Sequence, residues 1–126
     1  MYQISGKVIY GDNYGKKLGF PTANLDRRDY QKRKLKIKLG VYAGWAEFKL
    51  KAKSYKLKAG IVIGPLNHRG LPKIEAHLIG FKGSLYGEKL IIYLQKYLRP
   101  FRKFKNKEKL IKQIKKDIER IKHYGY

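Results

Sequence analysis

From residue 55 to residue 63 the chain alternates: Tyr55, Leu57, Ala59, Ile61 and Ile63 stand against Lys56, Lys58, Gly60 and Val62. Successive side chains of a strand point to opposite faces, so a period of two predicts a strand with one apolar face. Four further segments carry strand chemistry. Residues 3–10 hold Ile4, Val8 and Ile9; residues 40–50 are rich in aromatic and β-branched side chains; residues 73–81 and 88–98 follow, the last with the run Leu90 to Leu94. Glycine, asparagine and proline cluster between them, at 11–19, 65–72 and 82–87. Short strands separated by such turns predict an antiparallel sheet closed as a small barrel. The last segment changes period. After Asn106 the apolar residues are Leu110, Ile111, Ile114, Ile118 and Ile121, which fall on one stripe of a helix. Asn106 suits the N-cap, and Glu108 in the first turn suits the helix dipole. The stripe is expected to pack on the barrel.

The chain of 126 residues, 43% of them hydrophobic, is sized for a single domain over 1–126 with one core. Mean hydropathy is −0.58, and no apolar run approaches the roughly 20 residues of a membrane helix. No charged start precedes an apolar block, so no signal peptide is expected, and the cytoplasm is the default location. The absence of cysteine excludes disulfides, thiolate catalysis and cysteine-type zinc sites. Thirty-one Lys and Arg against nine Asp and Glu give a net charge of +22. Such a balance fits nucleic acid, phosphorylated small molecules, or a surface merely covered in solvated lysine.

Candidate chemistry gathers early. GDNYGKKLG, residues 11–19, is a loop whose glycines let backbone N–H groups approach an anion. It is neither a Walker loop nor a dinucleotide fingerprint, and an ordinary turn reads the same way. LGFPTANL, residues 18–25, sets Thr22 and Asn24 in an apolar frame. Pro21 pushes Phe20 toward an extended conformation, so Thr22 and Asn24 fall on one face. Two neutral oxygens side by side suit the shell of Mg²⁺, which takes much of its charge compensation from phosphates. Bonding to turn backbone is the other reading. Among the acids, Asp12, Asp26 and Asp29 lie in loop-like sequence, Glu108, Asp117 and Glu119 on the helix, and Glu47 and Glu88 near strand ends or turns. Glu75 stands apart. In PKIEAHLIGF it shares a strand face with His77, opposite Ile74, Ala76 and Leu78. It is either a general base or a solvent-facing acid paired with a lysine.

GFPTANL closely resembles the signature of the bacterial and eukaryotic riboflavin kinase (flavokinase) family, and the resemblance continues in order. GVYAGWAEF (40–48), IEAHLIGF (74–81), LYGEKLIIYLQKYLRPFRKF (85–104) and IKKDIERIK (114–122) are similar to later family segments. The resemblance implies a mainly β fold, a six-stranded antiparallel Greek-key β-barrel with a C-terminal α-helix. It implies transfer of the ATP γ-phosphoryl group to the 5′-hydroxyl of riboflavin, giving FMN and ADP, with Mg²⁺ or another divalent ion. Matched by position, Thr22 and Asn24 fall at the metal and the nucleotide phosphates, Gly11 and Lys16 on the glycine-rich loop, and Glu75 on the catalytic base. Leu78, Gly80 and Tyr86 fall near the nucleotide, and Arg99, Arg102 and Phe104 on the flavin loop. No length remains for an adenylyltransferase domain, so FMN rather than FAD is the expected product. A monomer without membrane attachment is expected. The competing reading is a basic β-barrel that binds nucleic acid, which would need aromatics on an exposed sheet face.

Overall fold

The alternation at residues 55–63 becomes the centre of the longest strand. The computed structural model describes residues 2–11 and 14–124. Six strands are present: β1 (Tyr2–Ile9), β2 (Ala23–Leu25), β3 (Gly40–Leu50), β4 (Lys53–Leu66), β5 (Pro72–Leu78) and β6 (Lys89–Arg99). Three helices accompany them: α1 (Tyr14–Lys17), α2 (Arg28–Lys32) and α3 (Lys107–His123). Every strand pairing is antiparallel, and the order β1-β2-β5-β4-β3-β6 closes when β6 returns to β1. Within it, β3, β4 and β5 neighbour one another in sequence order and β6 lies back beside β3, which is the Greek-key arrangement.

The period-two pattern fills the barrel. Ile4, Val8, Ala46, Phe48, Ala59, Ile61, Ile63, Ile74, Ala76, Leu78, Leu90, Ile92 and Leu94 are buried in one cluster. On β5 burial alternates residue by residue, so Lys73, Glu75 and His77 stand on the outer face. A smaller cluster of Val41, Ala43, Leu98 and Ile121 lies between α3 and the outside of the barrel. The Asn106 side chain caps α3, accepting from the Lys109 backbone N–H at 2.9 Å. At the other end of α3, Lys58 Nζ donates to the Lys122 carbonyl at 2.6 Å. Close approach of the backbone requires glycine where β3 meets β6. At Gly44, where the β3–β6 register shifts, a Cβ would lie 1.8 Å from the Tyr93 carbonyl oxygen.

Three local expectations need correction. The turn at 65–72 is shorter, because Pro65 and Leu66 continue β4 and Pro72 opens β5 opposite Leu66. Proline is tolerated at a first strand position, and Asn67 closes the shorter turn by accepting from the backbone N–H groups of Arg69 and Leu71. The glycine-rich loop contains the single turn α1, while Asp12 and Asn13 lie outside the described residues. Asp29 is in α2, not a loop. Its carboxylate accepts from the Ser5 N–H at 2.9 Å and pairs with Arg33 one turn on, whose guanidinium also reaches the Gln3 carbonyl. Glu47 lies near the end of β3, opposite Lys56 and Ile91, as expected. No helix among the described residues is long and apolar enough to cross a membrane.

Candidate active site

β2 is short, and it is where the barrel closes. Asn24 lies opposite Ile9 of β1 on one side and Glu75 of β5 on the other. Directly opposed residues share a sheet face, so the register makes the Asn24 carboxamide and the Glu75 carboxylate neighbours on the outer face. Asn24 is only 8% exposed. The room for its head group comes from Gly11, where a Cβ would stand 2.2 Å from Asn24 Nδ2 and 2.4 Å from Cγ. Thr22 directly precedes β2. Its approach is fixed by His77, whose Nδ1 donates to the Pro21 carbonyl at 2.8 Å while the ring meets Phe20 edge-on. Lys73 Nζ lies 2.6 Å from Glu75 Oε1.

Two cavities open on this seam. The larger, about 640 Å³, lies between the outer face of β4 and β5, helix α3 and the segment after β6. Glu75, Arg99, Arg102 and Phe104 line it, and so do Leu110, Ile114, Ile118 and Ile121 of the helical stripe. The stripe is therefore a cavity wall for most of its length and closes on the barrel at Ile121. The smaller, about 450 Å³, is lined by Gly11, Lys16, Asn24, Leu78 and Tyr86. Among the described residues, Thr22 is the one that lines both. The exposed Tyr86 ring stacks on Tyr10 at 3.8 Å. Gly80 stands in the turn after β5 with φ +84° and lines neither cavity.

A charged network not expected from the sequence borders the larger cavity. Arg99 Nε donates to both carboxylate oxygens of Asp117 at 3.1 Å, and its Nη2 donates to Oδ2 at 2.8 Å. Asp117 is 5% exposed. Gln113 Nε2 donates to Asp117 Oδ1 at 3.0 Å, and Gln113 Oε1 accepts from Arg102 at 2.9 Å. Both guanidiniums flank the Phe104 ring, at 4.9 Å for Arg102 and 5.7 Å for Arg99. A sequence signal for Asp117 existed: it falls three residues after Ile114 and four before Ile121, the spacing of the buried side.

Among the described residues no cluster of three or more His, Cys, Asp or Glu could hold a metal. Thr22 and Asn24, which share the smaller cavity, offer two neutral oxygens there.

A family profile described as flavokinase, riboflavin kinase, matches residues 1–125. A bifunctional riboflavin kinase/FMN adenylyltransferase of Buchnera aphidicola is 36% identical over 98% of this chain, which spans 38% of that protein's length. The riboflavin kinase of Homo sapiens is 34% identical over 96% of the chain and is covered to 79%. The crystal structure of riboflavin kinase from Trypanosoma brucei superposes with a TM-score of 0.74 over 95% of this chain and 74% of its own, at 23% identity, a likeness of fold.

Proposed function

The chain belongs to the flavokinase family, and from that premise we propose that it transfers the γ-phosphoryl group of ATP to the 5′-hydroxyl of riboflavin, giving FMN and ADP. The observation that carries the reading is the pair of cavities meeting at Thr22, one bordered by Glu75 and the arginine–phenylalanine segment, the other by the glycine-rich loop. A phosphoryl donor and its acceptor need that arrangement, because the transfer asks the protein mainly for alignment and charge neutralisation.

In this reading the isoalloxazine occupies the larger cavity, against the apolar wall of α3, with Arg99, Arg102 and Phe104 at its rim. The nucleotide occupies the smaller one, its phosphates toward Gly11, Lys16, Thr22 and Asn24, and Leu78 and Tyr86 lie alongside. The ribityl chain leads its terminal hydroxyl toward Glu75. The Glu75 carboxylate orients that hydroxyl and accepts its proton as the new O–Pγ bond forms and the bond from Pγ to the β-phosphate oxygen breaks. Lys73, 2.6 Å away, fixes the carboxylate until substrate arrives. The Lys16 ammonium offsets charge on the transferred group.

The donor set fits a divalent ion such as Mg²⁺. Thr22 and Asn24 offer two neutral oxygens in one cavity, and Gly11 leaves the space the carboxamide needs. When bound, that ion would neutralise charge on the phosphate oxygens. Because residues of one chain line both cavities, we take a single chain to be the active unit.

The test is direct. Purified protein with riboflavin, Mg²⁺ and ATP is assayed for FMN by chromatography. FMN formation supports the reading. No FMN together with salt-sensitive RNA binding would favour the basic nucleic-acid module and overturn it.

A further inference from the structure

Residues 100–104 carry no regular secondary structure, yet Phe101, Arg102, Lys103 and Phe104 line the larger cavity. A segment without a backbone ladder takes its shape from side chains, and here two rungs on α3 supply it. Asp117 takes Arg99 in a forked, charge-assisted pair, and Gln113, one helical turn earlier, takes Arg102. The rungs are themselves joined by the bond from Gln113 to Asp117. The two cations are thereby held on the one aromatic ring between them, Phe104.

We propose that Asp117 and Gln113 are positioning residues that hold the segment from Arg99 to Phe104 in its flavin-binding shape. The identity of the ligand rests on the flavokinase reading, while the tie itself does not. Neither residue needs to touch flavin. Their effect is to immobilise two long, rotamer-rich arginines before the ligand arrives, so that binding does not have to order them. The consequence is selective. Riboflavin binding depends on the tie, whereas the nucleotide cavity, which among the described residues shares only Thr22 with this site, does not.

Asp117→Asn is the obvious variant, but it leaves the Arg99 cation largely buried without its counter-charge and weakens the fold as a whole. Gln113→Met separates the effects. It keeps the side-chain length, removes both hydrogen bonds and leaves the Arg99–Asp117 pair. Two measurements are made on it and on wild type. The first is limited trypsinolysis without ligand, following cleavage after Arg102, Lys103 and Lys105 by mass spectrometry. The second is steady-state kinetics with each substrate varied. Faster cleavage in the variant, together with a riboflavin KM raised about tenfold, is the expected result for a lost hydrogen bond to a charged group. The KM for ATP and kcat at saturating riboflavin should stay within about twofold, since the interaction serves binding of one substrate only. An unchanged riboflavin KM overturns the proposal, whatever the cleavage rate. Equal rises in both KM values overturn it too, since they report a general structural loss. A wild type that makes no FMN defeats the flavokinase reading instead. The proteolysis arm needs no flavin, and unchanged cleavage there would still overturn the tie.

Discussion

Gly11→Ala is a one-carbon perturbation aimed at the centre of the site. The added Cβ would lie 2.2, 2.4 and 2.6 Å from Asn24 Nδ2, Cγ and Oδ1, so it collides with the whole carboxamide head. The φ of Gly11 lies outside the left-handed range, so alanine brings no backbone strain and the cost is steric. Asn24 is short and nearly buried, between Ile9 and Glu75, and because Cγ itself is in the clash it must swing its whole carboxamide out of its present place. Overpacking of this kind costs about 1–3 kcal/mol. Losing one oxygen that serves a charged ligand costs about 1.5–3 kcal/mol, a fall of roughly 10- to 100-fold in kcat/KM for ATP. Asn24→Ala should lose a similar amount. The double variant then decides the cause. With the carboxamide gone the Cβ has room, so adding Gly11→Ala to Asn24→Ala should cost little, a strongly non-additive cycle. The assay is FMN formation with ATP varied, on variants first checked for thermal midpoint. Wild-type kcat/KM in Gly11→Ala, or an undiminished loss on the Asn24→Ala background, refutes the reasoning.

Glu75→Gln keeps the side-chain shape and removes the proton acceptor, so kcat should fall about 10²–10⁴-fold with riboflavin still bound. A kcat within about threefold of wild type would return Glu75 to the ordinary strand acids paired with lysine. Burial pushes the Asp29 carboxyl up, but the Ser5 N–H and the Arg33 guanidinium outweigh it and hold the group below its usual value of 3.8. Its stabilisation is therefore complete above the unfolded value and is lost as pH falls through the lower folded one. Asp29→Asn should lower the thermal midpoint at neutral pH, and the gap from wild type should close below about pH 4. A gap that persists unchanged into acid counts against the assignment. Gly44→Ala sets a methyl 1.8 Å from a backbone oxygen that cannot rotate aside. The variant should lose on the order of 10 °C in midpoint or fail to fold, and a wild-type melt would show that β3 and β6 separate freely there.

What was legible in the sequence was whatever repeats or is ordered along the chain. The alternation on β4 and β5 reports burial directly, because each apolar side chain marks its own face, and the stripe on α3 marks which side of the helix turns toward the barrel. Glu75 and His77 were set opposite Ile74, Ala76 and Leu78 by the same rule, and the structure has them so. Relations between distant segments were not legible. Nothing local says that Asn24 faces Glu75, since that depends on the β2–β5 register fixed by barrel closure. The five-residue α2 is too short to show a period and has no side-chain N-cap bond, so its residues read as loop. Asp117 read as one more helix acid because its partner Arg99 is 18 positions away and only the fold brings them together. The stripe on α3 predicts packing, but an apolar helix face looks the same in sequence whether it meets side chains or a cavity.

β2 is the shortest stave of the cask. It grips β1 through Leu25 and Asn24, and β5 through Ala23 and Asn24, while β3 and β4 zip along their full facing length. The seam with the fewest rungs is also the stave that bears Asn24 and is entered through Thr22. Mechanical integrity and chemistry are thus vested in the same few residues. A breathing motion that parts this seam disperses the site before it dissolves the rest of the cask. The reverse also holds. On the proposed reading, a nucleotide held at Thr22 and Asn24 would act as a hoop, drawing the weakest joint shut from outside, so occupancy of the small cavity would brace the whole vessel.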